Sequence, residues 1–477
     1  MNDPAPMPSS VSGKSQAQED NLYAPRKKIY VRAAKGLFAN WRWVLVWVTQ
    51  LLFYGLPWLV WNGRQAVLLH VVERKFYIFG WVFWPQDVFF LAILLIIAAY
   101  SLFFFTAIAG RLWCGYACPQ TVYTEIFLWI EEKIEGDRNK RIKLDNAPMS
   151  PRKAGLKATK FLVWGLVAFW TGFTFVGYFT PIHELVASVP SFSFGPWEIF
   201  WILFYGSFTF LFAGVMREQV CKYMCPYARF QGVMFDPDTL IITYDEERGE
   251  PRGSRKKGVD PKTVGKGDCI DCGICVQVCP TGIDIRQGLQ YECIGCAACI
   301  DACDEVMDKM NYPRGLIRYS TENAIKKHWD GKQIIGHVMR PRTLVYGGIL
   351  VLICIAFVWG LATREPLRVD IIRDRTTLAR EVAGGRIENV YRLQVMNMTE
   401  SPRTFDVKVS GLEGIQMEGF NGSITVDPAA MQALTLQVQV PVEVGEPGSS
   451  NPIYFSITAR DDGKIAVKEK STFLLPR

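Results

Sequence analysis

Apolar residues along this chain follow two rhythms, and the change between them divides it. Up to about residue 361 they form long stretches. Five of these, about Trp43–Trp61, Val88–Gly110, Phe161–Thr180, Ile199–Met216 and Thr343–Leu361, approach the roughly 20 residues that a helix needs to cross a bilayer core. Val67–Trp84 is apolar too, but Glu73, Arg74 and Lys75 interrupt it, which predicts a re-entrant or interfacial segment. From about Glu365 the rhythm shortens to alternation, as in Tyr391-Arg-Leu393-Gln-Val395, Phe405-Asp-Val407-Lys-Val409, Leu434-Thr-Leu436-Gln-Val438 and Tyr454-Phe-Ser-Ile457. With turns such as Gly445-Glu-Pro-Gly-Ser-Ser, this predicts about six or seven short antiparallel strands in an immunoglobulin-like all-β sandwich.

Charge orients the spans. Residues 1–40 hold six Lys and Arg and Arg111–Thr159 holds nine, whereas Asn62–Asp87 holds three and Pro181–Pro196 none. The positive-inside rule then places the N-terminus in the cytoplasm and alternates through five crossings. The formal charge of +7 is thereby flanking charge beside membrane spans, which argues against nucleic acid as a partner. The expected organisation is a multi-domain membrane protein. A cytoplasmic, partly disordered N-terminus (1–40) precedes a four-span domain of two repeats (41–216). A cytoplasmic segment (217–341) holds a module at about 260–310, and a fifth helix (342–361) leads to an outer sandwich (365–477). Residues 1–24 read as disordered, residues 1–40 lack the apolar core of a cleavable signal peptide, and Asp245–Lys266 reads as a flexible lead-in.

Twelve of the 13 cysteines carry the chemistry. Cys269-x2-Cys272-x2-Cys275-x3-Cys279-Pro280 and Cys293-x2-Cys296-x2-Cys299-x3-Cys303 form the two-cluster bacterial ferredoxin pattern, in which the last cysteine of each run ligates the other run's cluster. Two [4Fe–4S] centres are expected: Cys269, Cys272, Cys275 with Cys303, and Cys293, Cys296, Cys299 with Cys279. A zinc site would use two C-x2-C pairs instead. Such a module moves single electrons, and its thiolates belong on the reducing side, consistent with the absence of cysteine from 362 to 477.

The remaining four form Cys114-x3-Cys118-Pro119 and Cys221-x3-Cys225-Pro226, offset by 107 positions, each after an even-numbered span and an arginine (Arg111, Arg217). Residues i and i+4 share one face of a helical turn, and the residue before proline is pushed out of helical conformation. If the repeats pack side by side, four thiolates converge near the membrane surface, able to hold a third iron–sulfur cluster, copper or zinc. Neither motif is a haem-attachment site. Cys354 and the dispersed Met396, Met398, Met417 and Met431 read as packing residues. His70 and His183 occupy corresponding outer loops, where histidines are usually polar surface residues.

The order of these features, from the paired C-x3-C-P motifs through the double ferredoxin motif to the outer β domain, resembles the FixG/RdxA/CcoG family of cytochrome c oxidase accessory proteins over roughly residues 30–477. The resemblance implies a bacterial inner-membrane oxidoreductase that reduces Cu(II) to Cu(I) for a cbb-type oxidase. Oxidase subunits, or copper chaperones and transporters, would be its partners. A cytosolic donor or quinol would feed the ferredoxin clusters, and Cys114, Cys118, Cys221 and Cys225 would form the copper-reducing or redox-metal site. Two other readings remain: a quinol-linked electron relay to a periplasmic reductase, and a non-enzymatic assembly scaffold.

Overall fold

A computed structural model describes residues 28–374, 379–382, 384–444, 448 and 450–476. The N-terminal tract read as disordered, and part of the turn at Gly445, lie outside them. Four helices are long and apolar enough to cross a membrane: Pro85–Ala109, Pro151–Val176, Pro196–Met216 and Pro341–Ala362. Each begins on a proline, whose preset φ and missing N–H suit a first helical turn. The stretches expected from Val88, Phe161, Ile199 and Thr343 correspond to these four.

The first stretch is offset. Trp43–Trp61 was the expected span, but the helix runs Leu37–Gly55 and stops short of Pro57. Its outward face is apolar, with Trp41, Val44, Trp47, Val48 and Leu51 exposed, while Arg42 is buried and lies 3.4 Å from Glu125. Val67–Trp84, expected to be re-entrant or interfacial, is a small antiparallel sheet rather than a membrane-dipping helix. It forms three antiparallel strands, Val67–His70, Lys75–Ile78 and Trp81–Phe83, with Glu73 and Arg74 in the first turn. Two of the charges that seemed to interrupt an apolar run, Glu73 and Arg74, are its turn residues, and the third, Lys75, opens the second strand.

Pro341–Ala362 lies against Val88–Ala109 with Tyr346 near Tyr100 and Phe357 near Phe90, an antiparallel pairing. At one end of this pair, Arg340 and Arg342 each reach Asp236 at 2.7 Å, close to the ferredoxin module. At the other, Arg364 pairs with Asp87 at 2.5 Å, beside the β domain. The module and the β domain therefore occupy opposite ends. Pro151–Val176 and Pro196–Thr209 approach closely because Gly172 and Gly206 lack side chains: a Cβ on Gly206 would lie 3.3 Å from the Ala168 carbonyl oxygen.

The antiparallel pair Ile241–Tyr244 and Ile317–Ser320 brackets the ferredoxin module. Its lead-in, read as flexible, is tied to the module at several points. Arg248 meets Asp268 at 2.5 Å and the carbonyl of Arg314 at 2.9 Å, and Arg255 donates to the Tyr312 hydroxyl at 2.8 Å. Charges that look solvated in sequence find partners as many as 66 residues away.

Beyond residue 366 two antiparallel sheets face each other. One orders Gln416–Glu418, Met431–Pro441, Arg386–Asn397 and Leu367–Arg373; the other orders Ser423–Val426, Arg403–Ser410, Ser450–Ala459 and Ala466–Leu474. Tyr391, Leu393, Val395, Phe405, Val407, Leu436, Val438, Phe455 and Ile457 fill the core, as period two requires. Nine strands are described rather than six or seven, since three-residue edge strands such as Arg380–Val382 carry no readable alternation. The sandwich is latched to the hairpin region: Glu400 accepts from Trp61, Asn62 and Arg64, and Met398 and Ala429 pack with Val82 and Trp84.

Candidate functional site

Both C-x3-C-P motifs start from the same backbone kink. Gly110, four residues before Cys114, has φ 54° and ψ −117°; Arg217, four before Cys221, has φ 45° and ψ −110°. Glycine adopts this conformation freely, whereas arginine is strained in it. Each kink ends a membrane helix and leads into a short turn, Leu112–Tyr116 or the wider-wound Val220–Met224. Cys118 and Cys225 then take extended conformations, ψ 128° and 111°, directly before the prolines that open the helices Pro119–Glu135 and Pro226–Met234. The second thiol of each pair thus sits at a helix N-terminus, and burial pushes that of Cys118 above the ordinary thiol value.

Strain at Arg217 persists because its guanidinium is held. Nε donates to the Gly214 carbonyl at 2.9 Å, and Nη2 lies 3.0 Å from Glu131. Glu131, 1% exposed, also takes Arg141 at 3.0 Å and Lys160 at 3.4 Å. Burial alone would raise its pKa, but Arg217, Lys160 and Arg141 outweigh burial and hold it below the ordinary carboxylate value. The sequence reading missed this network. Residues 86 apart carry no local signal of their pairing.

The structure places the four C-x3-C-P thiols near enough to influence one another electrostatically, though not in single-ion coordination distance. Burial pushes Cys114 up to about 12, and Cys118 and Cys221 add to the rise. Burial likewise pushes Cys221 up to about 11, with Cys118 and Cys225 adding. Arg111 opposes the rise at both. The Cys114 thiol donates to Gln231 Oε1 at 3.5 Å.

The eight ferredoxin cysteines divide between two cavities. Cys269, Cys272, Cys275 and Cys303 line one; Cys279, Cys293, Cys296 and Cys299 line the other, with Cys275 in its wall. The last cysteine of each run has crossed to the other run's partners. Burial pushes Cys293 and Cys303 up to about 12 and Cys275 up to about 11. Free thiols so placed keep their protons at neutral pH, so an incoming iron centre must displace them. Among the described residues, no three His, Cys, Asp or Glu side chains converge closely enough to hold one metal ion. A four-iron cluster instead takes one thiolate per iron, so the donors present fit it.

Gly115 and Gly295 join the motifs to the module. A Cβ on Gly115 would stand 2.7 Å from the Gly295 carbonyl oxygen and 2.9 Å from the Cys296 Cα. Arg111 spans the joint, donating to the carbonyls of Ala228 at 2.6 Å and Cys293 at 3.5 Å. Cys114 and Cys221 pack against buried Ile294, Cys296 and Ala298, so the C-x3-C-P set abuts the second cavity. Gly115→Ala is expected to cost roughly 1–3 kcal/mol, because its new methyl meets backbone that cannot swing aside. Thermal unfolding of the purified chain measures this.

No histidine joins these sets. His70 Nδ1 accepts from the Glu73 N–H at 3.1 Å, and His183 stands edge-on to Trp58 at 5.7 Å. Met396 and Met398 are buried in the β domain.

Comparison with known proteins matches residues 216–322 to a "4Fe-4S dicluster domain", residues 89–137 to a "4Fe-4S binding domain" and residues 357–476 to an "IG-like fold at C-terminal of FixG". The nitrogen fixation protein FixG of Rhizobium meliloti is 37% identical, over 88% of this chain and 88% of its own. Protein RdxB of Cereibacter sphaeroides is 38% identical over 91% and 92%, and protein RdxA of the same organism 38% over 92% and 93%. With its cysteine-lined cavities and four apolar helices, the chain belongs to the FixG/RdxA family of iron–sulfur electron-transfer proteins of oxidoreductase type.

Proposed function

We propose that this chain is a membrane-bound oxidoreductase that reduces Cu(II) to Cu(I) in single-electron steps for assembly of a cbb-type cytochrome c oxidase. Two [4Fe–4S] clusters would be held by Cys269, Cys272, Cys275 and Cys303 and by Cys279, Cys293, Cys296 and Cys299. Bound there, they would supply one-electron carriers. The observation that carries the reading is the Gly115–Gly295 contact, beside which Cys114 and Cys221 of the C-x3-C-P set pack against residues of the second cavity. Thiolates at Cys114, Cys118, Cys221 and Cys225 prefer Cu(I) over Cu(II). Each tenfold preference raises the one-electron couple by about 59 mV, which favours reduction.

Five crossings would place the N-terminus and ferredoxin module on the cytoplasmic face of a bacterial inner membrane and the sandwich in the periplasm. Support comes from the Lys and Arg distribution and from the opposite-end arrangement of module and sandwich. Oxidase subunits or copper-delivering proteins would then meet the sandwich.

A Cu(I)-specific chelator, added to reduced, reconstituted protein, should develop colour with the native chain. It should develop at least about tenfold less when all four C-x3-C-P cysteines are serine. Unchanged Cu(I) production in that variant would rule the site out. A second reading has its own support, since residues 89–137, with Cys114 and Cys118, match a 4Fe-4S binding domain. The four thiols would then hold a third cluster, and anaerobic protein would contain about twelve irons instead of about eight.

A further inference from the structure

We infer that a cavity of about 80 Å³ at the foot of the helix Leu37–Gly55 is the electron-entry site of this protein, and that it takes the head group of a membrane quinol. The inference rests on the oxidoreductase reading above and names its electron donor. Arg42, Trp43, Glu125, Trp129, Glu132 and Arg141 form its chemically distinctive wall. Pro280, next to Cys279, and Ala298 also line it, and Ala298 lines the cavity of Cys279, Cys293, Cys296 and Cys299 as well. One residue thus separates this cavity from the second thiol set.

Its chemistry selects the ligand class. Arg42 and Arg141 are 7% and 3% exposed, and the Nε–H of each is buried without a hydrogen-bond partner. A buried donor left unpaired is costly, so the site favours a ligand that brings acceptor oxygens. Arg32 also lines it, while Arg42 faces Glu125 and Arg141 faces the buried Glu131, so donors and carboxylates stand side by side in its wall. Trp43 and Trp129, 6.1 Å apart and edge to face, supply an aromatic wall for a ring. The volume suits the oxygen-bearing edge of one ring and is far below the several hundred Å³ that a dinucleotide fills. The helix rising from the cavity exposes Trp41, Val44, Trp47, Val48 and Leu51, so a donor dissolved in lipid reaches it and a soluble nucleotide has no advantage.

The step balances. Both O–H bonds of the quinol break as it becomes a quinone. Its two protons pass to the carboxylates of Glu125 and Glu132 and on to solvent. Its two electrons leave singly, each reducing one oxidised iron–sulfur centre. Glu125 is placed for the first transfer because it faces both the cavity and Arg42, at 3.4 Å.

The test uses the full, cluster-loaded chain in detergent with a short-tailed benzoquinol as reductant, followed by bleaching of the iron–sulfur absorbance. An azido-benzoquinone photolabel maps the site without any turnover. The native chain should be reduced by the quinol and labelled within residues 125–132. Glu125→Gln should slow that reduction by about 100-fold, the scale of a lost proton acceptor, while dithionite still reduces the clusters fully. Trp129→Ala should weaken labelling. Labelling confined to another part of the membrane domain, no reduction by quinol, a native reduction rate in Glu125→Gln, or native labelling in Trp129→Ala would overturn the inference. Quinol-driven reduction and labelling without Cu(I) production would sustain it and sink the copper reading. Copper reduction driven only by a soluble donor would do the reverse.

Discussion

Cys279→Ser should abolish the iron–sulfur centre of Cys293, Cys296 and Cys299 and leave that of Cys269, Cys272 and Cys275 loaded. Cys279 closes the first run, yet the two-cluster ferredoxin spacing assigns it to the second group. In the fold, Cys279 lines the second cavity, and its Sγ lies 3.3 Å from the Thr281 hydroxyl, whose residue lines that cavity too. Cys303 makes the opposite exchange from the helix Ala298–Met310. Losing one thiolate of four opens a cluster corner to solvent. Iron per chain should therefore fall by about four, the content of one cubane. Paramagnetic resonance of the reduced chain tells which centre remains, because Cys303→Ser should leave the complementary signal. If Cys279→Ser and Cys272→Ser give the same surviving signal, the crossed assignment is wrong.

Glu131→Ala should destabilise the chain by about 3–5 kcal/mol, the cost of stripping the partner from buried charge. Arg141, Lys160 and Arg217 would all lose the carboxylate they share, and none is exposed enough for water to replace it. Arg217 matters most, since its strained backbone persists only while the guanidinium is held. Chemical unfolding of the detergent-solubilised chain measures the loss. The pH dependence gives an independent check. The carboxyl's folded value lies below its ordinary 4.5, so its stabilisation is fully present above that value. It is lost as pH falls from 4.5 through the depressed value. Stability of the native chain should drop across that window, and Glu131→Gln should flatten that part of the profile. Equal acid slopes for the two chains would show that the network contributes nothing.

The legible parts of this protein were those written in neighbouring residues. Two cysteine runs disclosed an iron–sulfur module, and alternation at Tyr391–Val395 and Phe405–Val409 disclosed strands whose inward residues are now core. Four apolar stretches became the four long apolar helices. The errors arose where a local cue had two meanings. Glu73 and Arg74, taken to interrupt a re-entrant or interfacial segment, are a hairpin turn; Pro57 sat inside an apolar run whose helix ends before it. Arginines 248 and 255 looked like linker charge and instead fasten the lead-in to Asp268 and Tyr312.

Covalent spacing along the chain, taken alone, determined the kind of chemistry here: thiolate donors in cubane order, a repeated C-x3-C-P unit, and the change from membrane helices to a β sandwich. Tertiary structure decided how these are wired. Gly115 meets Gly295 across 180 positions, Glu131 reaches Arg217 across 86, and Arg42 closes on Glu125 across 83. Spacing reports what a turn of helix or a pleat brings side by side, within a few residues. Close approach between distant segments depends instead on which surfaces lack a Cβ and which buried charges must find a partner, and only the folded chain resolves that.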